Sequence, residues 1–217
     1  MMDSELTRTL TDMARALGAV ATGVTTMDTL AGGPPSVDLE YVLPGARSAV
    51  SFALPMDGPS LESFLGKKDR ISHESDNLDM NILSGKISYK LSKFLVEQGH
   101  AAAPLAANGV WRDDEEHTPQ DTMPPISHKY LAVRSGIGHF GLSGNFLMKE
   151  YGAAVILGSV VTDAELVPTD PLPPEENYCD DCGLCREACV TGFMSTPEKA
   201  TVTLGSVEFS YTRWRST

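Results

Sequence analysis

All four cysteines of this 217-residue chain lie between Cys179 and Cys189. Cysteines used as small core residues scatter along a sequence, and a disulfide scaffold spreads its thiols so that each bond closes a loop. A tight group does neither. It reads as a metal or iron–sulfur site in a reducing compartment, which predicts a cytoplasmic protein. The spacing is Cys179-x2-Cys182-x2-Cys185-x3-Cys189. The first three thiolates can wrap one cubane if the loop turns tightly, and Gly183 supplies the permissive backbone position. Structural zinc more often uses two separated C-x2-C pairs, so a 4Fe-4S cluster is the favoured reading and a zinc-stabilised domain the alternative.

In ferredoxin-type runs of this spacing, the fourth cysteine ligates the other cluster of a pair. No second run is present. Cys189 could bend back to complete a single cluster, or a non-cysteine ligand or partner chain could complete it. The third arrangement is a truncated form whose second run lay beyond Thr217, and this is the one expected.

The rest of the chain is long enough to bury a hydrophobic core without staples. Apolar residues at 41% and charged residues at 21% are ordinary for a globular domain. No apolar run is long enough to span a membrane. The first residues, with Asp3, Glu5 and Asp12, do not form a secretory signal. The net charge of −12 argues against a nucleic-acid partner, because phosphate affinity rests on Lys and Arg.

Periodicity predicts alternating helices and strands. Leu6, Leu10, Met13 and Leu17 share a helix face, with Ser4 as N-cap and Gly18 just past the end. Strands are expected at Ala19–Val24, Ser48–Pro55, Ala101–Ala107, Phe146–Met148 and Ala153–Thr162. The nearly continuous apolar run at Ser48–Pro55 suits a strand covered on both faces. Pro59–Asn77 reads as a short helix and loop. A long helix follows with Met80, Leu83, Ile87, Leu91, Phe94 and Leu95 in one stripe, stopped by Gly99. Trp111 to Pro125 reads as an acidic loop, and His128–Ser135 as one or two helical turns. Asp163 to Asn177, with Pro168, Pro171, Pro173 and Pro174, reads as a stiff linker. The class is α/β or α+β around one main sheet. The expected division is an α/β cofactor and substrate domain over 1–166, then a linker and partial ferredoxin-like segment over 167–217.

Several single residues invite functional readings. Gly136, Gly138 and Gly141 form G-x-G-x-x-G, but a helix precedes them and a strand follows, the reverse of the dinucleotide fingerprint. They form either a loop that lets backbone approach a large cofactor or a tight helix-to-strand turn. His128 and His139 are candidate proton donors or cofactor contacts, or hydrogen-bonded structural groups. Asp121 is a candidate general acid or a turn former before proline.

The stretch Leu43-Pro44-Gly45-Ala46-Arg47-Ser48-Ala49-Val50 resembles one in epoxyqueuosine reductases and their relatives. So do Gly136 to Gly141, Tyr151-Gly152 and Val161 to Leu166, after which the cysteine run arrives where that family places its first cluster. The resemblance covers most of 43–195. It implies a nitroreductase-like cobalamin-domain sheet flanked by helices, with a ferredoxin-like segment laid against it. It also implies a reductase using cobalamin and 4Fe-4S clusters, as in the related reductive dehalogenases. Cys179, Cys182, Cys185 and Cys189 would be metal ligands, and Gly136, Gly138, His139 and Gly141 cofactor-side residues. Asp121-Thr122-Met123-Pro124 has the form of the family's acid-bearing stretch, one residue farther from the glycine loop. A ferredoxin or flavodoxin would donate electrons, the substrate would be an unidentified small molecule, and a homodimer is admissible. A cluster protein that moves electrons without cobalamin is the alternative.

Overall fold

The computed structural model describes residues 2–107, 112 and 123–215. The expected acid Asp121 and the acidic run 113–116 lie outside them. In chain order the elements are helix α1 (Ser4–Ala16), strand β1 (Ala21–Thr26), the single turn α2 (Met27–Leu30), β2 (Ser48–Pro55), α3 (Gly58–Leu65), α4 (Ile71–Glu97) and β3 (Ala102–Leu105). Then follow α5 (His128–Arg134), β4 (His139–Phe140), β5 (Phe146–Leu147), β6 (Val155–Thr162), α6 (Leu184–Glu187), β7 (Thr196–Leu204) and β8 (Val207–Arg215).

The main sheet has the order β1-β2-β6-β3, and each neighbouring pair is antiparallel. This settles the class as α+β. Alternation of side chains divides the sheet residues between two cores. Val50, Phe52, Leu54, Ile156 and Val160 pack with Leu6, Leu10 and Ala14 of α1 and with Ile87, Leu91 and Leu95 of α4. On the other face, Ala49 and Val161 join Leu131 of α5, while Ala53 joins Ala132, Val133 and Phe140. β2 is central and covered on both sides, so every residue from Ser48 to Leu54 is buried. Pro104 sits on the edge strand β3, where its missing N–H costs least.

Local chemistry shifts several expected boundaries. Asp3, not Ser4, caps α1, because its carboxylate accepts from the Leu6 N–H at 2.8 Å. β1 starts two positions later than expected and β3 is shorter. The expected strand at 146–148 reduces to the two-residue β5. The 59–77 region is helical at both ends: α3 is capped by Asp57, and α4 begins at Ile71, where Asp69 accepts from the Ile71 and Ser72 N–H groups.

The proline-rich stretch is tied to the core. Leu166 is fully buried and bridges Asp3, while Thr169 exchanges hydrogen bonds with the backbone of Val24. The C-terminal hairpin β7–β8 was not foreseen. Its two-residue turn, Gly205-Ser206, has Gly205 at φ 62°, and Leu204 plugs into the core beside Leu30, Val37 and Leu39. Alternation at Val202, Leu204, Val207, Phe209 and Tyr211 around Gly-Ser is the pattern that could have revealed it. Tyr211 packs edge-on to Tyr130 and tilted against Phe140.

Candidate functional site

A cleft of about 880 Å³ opens on the α5 side of the sheet. Leu105 of β3 and Val155 and Leu157 of β6 form an apolar floor, Ile126 to Lys129 one wall, and Asn145 and Phe146 another. Such a cleft, apolar with a few polar groups, is the usual form of a site for an organic ligand.

His128 is fixed in its wall by two contacts. Its Nε2 lies 2.9 Å from the Ala106 carbonyl oxygen and its Nδ1 2.9 Å from Ser159 Oγ. A carbonyl only accepts, so Nε2 donates and Nδ1 of the neutral ring accepts from the serine hydroxyl. Ser159 Oγ is in turn 2.9 Å from Ser51 Oγ, so a buried polar chain crosses from the cleft wall into the sheet. Burial pushes the His128 pKa down, against the opposing effect of its bond to Ala106, and keeps the ring neutral near pH 7. Neighbouring Lys129 reaches solvent, yet the protein around its ammonium lowers its pKa, and its Nζ donates to the Gly144 carbonyl at 3.4 Å. His128 was legible as a candidate. The serine pair was missed, although two serines on the same face of otherwise apolar strands were its signal.

The glycine loop lies behind one wall of the cleft. A Cβ on Gly136 would stand 2.3 Å from the Asp170 carbonyl oxygen. On Gly138 it would meet the Leu147 carbonyl oxygen at 2.4 Å, and on Gly141 the Leu147 side chain at 2.3 Å. Close packing of the chain on itself therefore accounts for all three glycines, and none lines the cleft. His139, on β4 opposite Leu147, does not line it either. Its Nε2 is buried with no partner among the described residues, and burial lowers its pKa while Glu176 opposes that shift.

The same loop touches the cysteine segment. The Leu142 N–H donates to Cys179 Sγ at 3.1 Å, and the Asn177 side-chain amide donates to the Phe140 carbonyl at 3.1 Å. A Cβ added at Gly141 would stand 3.8 Å from the Cβ of Cys179. No two of the four cysteines are joined in a disulfide; Cys182 is exposed and the other three are half-buried. Gly183 adopts the left-handed backbone its position was expected to supply (φ 79°), and Asp181 does so as well (φ 57°). Among the described residues, no three His, Cys, Asp or Glu side chains gather at metal-holding distances. Four thiols with left-handed turns at Asp181 and Gly183 are the donor type an iron–sulfur cluster takes.

No family model matches the chain. It is 29% identical to the epoxyqueuosine reductase of Gloeobacter violaceus over 160 residues, covering 74% of this chain and 45% of that protein. The Atelocyanobacterium thalassa epoxyqueuosine reductase is 27% identical over 159 residues, covering 73% and 46%. The chain thus spans about half the length of the curated relatives it matches. Among solved structures, an epoxyqueuosine reductase holding an epoxyqueuosine-modified tRNA stem loop aligns with a TM-score of 0.56 at 21% identity. It covers 87% of this chain and 52% of that one. A reductive dehalogenase, described with a mechanism for B12-dependent dehalogenation, aligns at 0.55 with 20% identity, covering 82% and 22%. The resemblance read from the sequence is borne out: the relatives are epoxyqueuosine reductases, and the fold is shared with reductive dehalogenases. The tRNA complex limits the force of the charge argument, since a protein of this fold does hold nucleic acid. Among the described residues, no helix is long and apolar enough to cross a membrane.

Proposed function

We propose that the chain is an iron–sulfur, corrinoid-linked reductase that passes electrons from a ferredoxin- or flavodoxin-type donor to an organic substrate. The observation that carries this reading is the shared loop: residues 141–146 touch Cys179 at one end and line the cleft at the other. A cluster held by Cys179, Cys182, Cys185 and Cys189 would then sit beside the cofactor cavity. The cleft's volume is near the upper end for organic-ligand sites, roughly 300–1,000 Å³, which suits a large cofactor better than a small metabolite. When bound, a corrinoid would supply low-potential cobalt for reductive bond cleavage.

The chain's own residues have separable tasks in this reading. The Leu142 N–H donates to Cys179 Sγ, and with Cys179 as a cluster ligand that hydrogen bond would be one of the terms that set the cluster's potential. Leu105, Val155 and Leu157 exclude water from the cleft floor. His128, held neutral, presents a fixed wall, while Lys129 and Asn145 offer hydrogen-bond donors to polar groups at the cofactor's edge.

Anaerobic titration of the chain with cobalamin, followed by absorbance, tests this proposal. A base-off spectrum with micromolar affinity is expected, weakened at least about tenfold by Leu157→Trp, which fills the cleft. No spectral change at any cobalamin concentration would leave a cluster protein without corrinoid chemistry.

A further inference from the structure

We propose that this chain forms a two-fold symmetric homodimer through the outer face of α4, packed antiparallel against the same helix of a second copy. The proposal is independent of the cofactor reading.

Helix α4 is 27 residues long, about 40 Å at 1.5 Å per residue, and it is apolar on two opposite faces. Its inner face buries Ile87, Leu91 and Leu95 against the sheet. Its outer face exposes Ile71 (79%), Leu78 (60%), Ile82 (45%), Tyr89 (63%) and Val96 (57%). A helix face meant for water is polar, and isolated exposed apolar residues follow no period. These five do follow one. With Gly85 they occupy six of the eight heptad core positions from 71 to 96; the other two are Ser75, which is exposed, and Ser92, which turns in to the Ala102 carbonyl of β3.

The stripe is complementary to itself in the antiparallel sense. A two-fold axis between residues 83 and 84 sets Ile71 opposite the partner's Val96 and Leu78 opposite the partner's Tyr89. It sets Ile82 opposite the partner's Gly85. That last layer explains a glycine that the monomer does not. Glycine in a helix interior destabilises it relative to alanine, and a Cβ at Gly85 would meet nothing within 4 Å in its own chain. A gap facing outward receives a large side chain arriving from outside. The same two-fold brings Asp79 beside the partner's Lys86, and symmetry repeats the pair. A parallel arrangement would instead set Glu74 against the partner's Asp79. The flanking charges therefore favour the antiparallel orientation that the steric pattern needs.

Sedimentation equilibrium of the whole chain over a dilution series provides the test. The wild type should sediment as a dimer with a micromolar or tighter dissociation constant. Gly85→Leu should raise that constant at least about tenfold, while its helical circular dichroism is kept, because leucine is the better helix former. Asp79→Lys alone should weaken the dimer, and Asp79→Lys combined with Lys86→Asp should restore it. A wild type that stays monomeric at the highest concentration overturns the proposal. So does a Gly85→Leu protein that dimerises unchanged, or a double charge swap that restores nothing. The charge swap keeps the test decisive if Gly85→Leu misfolds, since these two side chains are exposed on the helix flank.

Discussion

The sheet and the cysteine segment are held in place by different means. In β2 every residue from Ser48 to Leu54 is buried, and helices cover both faces. From Val167 to Thr203 no residue of described burial is buried, and Leu204 is the first to return to the core. Burying apolar surface is the main driving force of folding, and the sheet has it in full. The cysteine segment draws its order from a few hydrogen bonds, such as Leu142 to Cys179 and Asn177 to Phe140. In a segment of that kind, metal binding itself supplies folding free energy. The contrast therefore predicts a body that is stable without metal and a cysteine loop that is not.

Leu91→Ala carries the largest expected effect. Leu91 is fully buried between α4 and the sheet, and its truncation should cost about 2–5 kcal/mol in denaturant unfolding of the metal-free chain. Cys182→Ser in the same preparation should shift stability by less than about 0.5 kcal/mol, as for other exposed sites. Comparable losses at the two positions would break the contrast. Gly158→Ala is a sharper probe of the sheet. The added Cβ would stand 2.3 Å from the Phe52 ring and 2.5 Å from Ser84 Oγ, and overpacking of that kind should cost about 1–3 kcal/mol. A neutral result would show that β6 yields where the packing looks rigid.

A smaller effect is expected from pH. The folded His128 pKa lies below its unfolded value of about 6.5, so in that interval the unfolded chain binds the proton and the folded chain does not. Stability is therefore fully present above about pH 6.5 and is lost as pH falls towards the folded pKa. The slope from this one group is at most about 1.4 kcal/mol per pH unit. His139 contributes with the same sign, since burial lowers it too. In urea unfolding at stepped pH, His128→Gln should flatten the acid-side loss. An unchanged acid limb would mean that the carboxylates set it.

How much could be read from the sequence follows the same division. β2 was legible to the residue because a strand buried on both faces writes a continuous apolar run. The α4 stripe was legible because Ile87, Leu91 and Leu95 keep helical period against the sheet. The outer stripe of α4 was not singled out, since single-face periodicity hides a second apolar face. The hairpin was missed because one buried residue, Leu204, anchors it, and its remaining alternation is shallow. For the site, the cysteine spacing stood out because ligand chemistry needs it. The glycines pointed to a close approach, and what approaches is the chain's own β5 and the 170–172 stretch. The hydrogen bond from Leu142 to Cys179 and the Ser159–Ser51 pair depend on register between distant segments, which spacing along the chain does not encode.

Iron and acid-labile sulfide analysis after anaerobic reconstitution tests the cysteine segment most directly. Expected are iron and sulfide in about equal amounts and a broad absorption near about 400 nm that bleaches on reduction, all lost in Cys179→Ser. Zinc as the only bound metal, or a chain that takes up no iron under these conditions, would contradict the assignment.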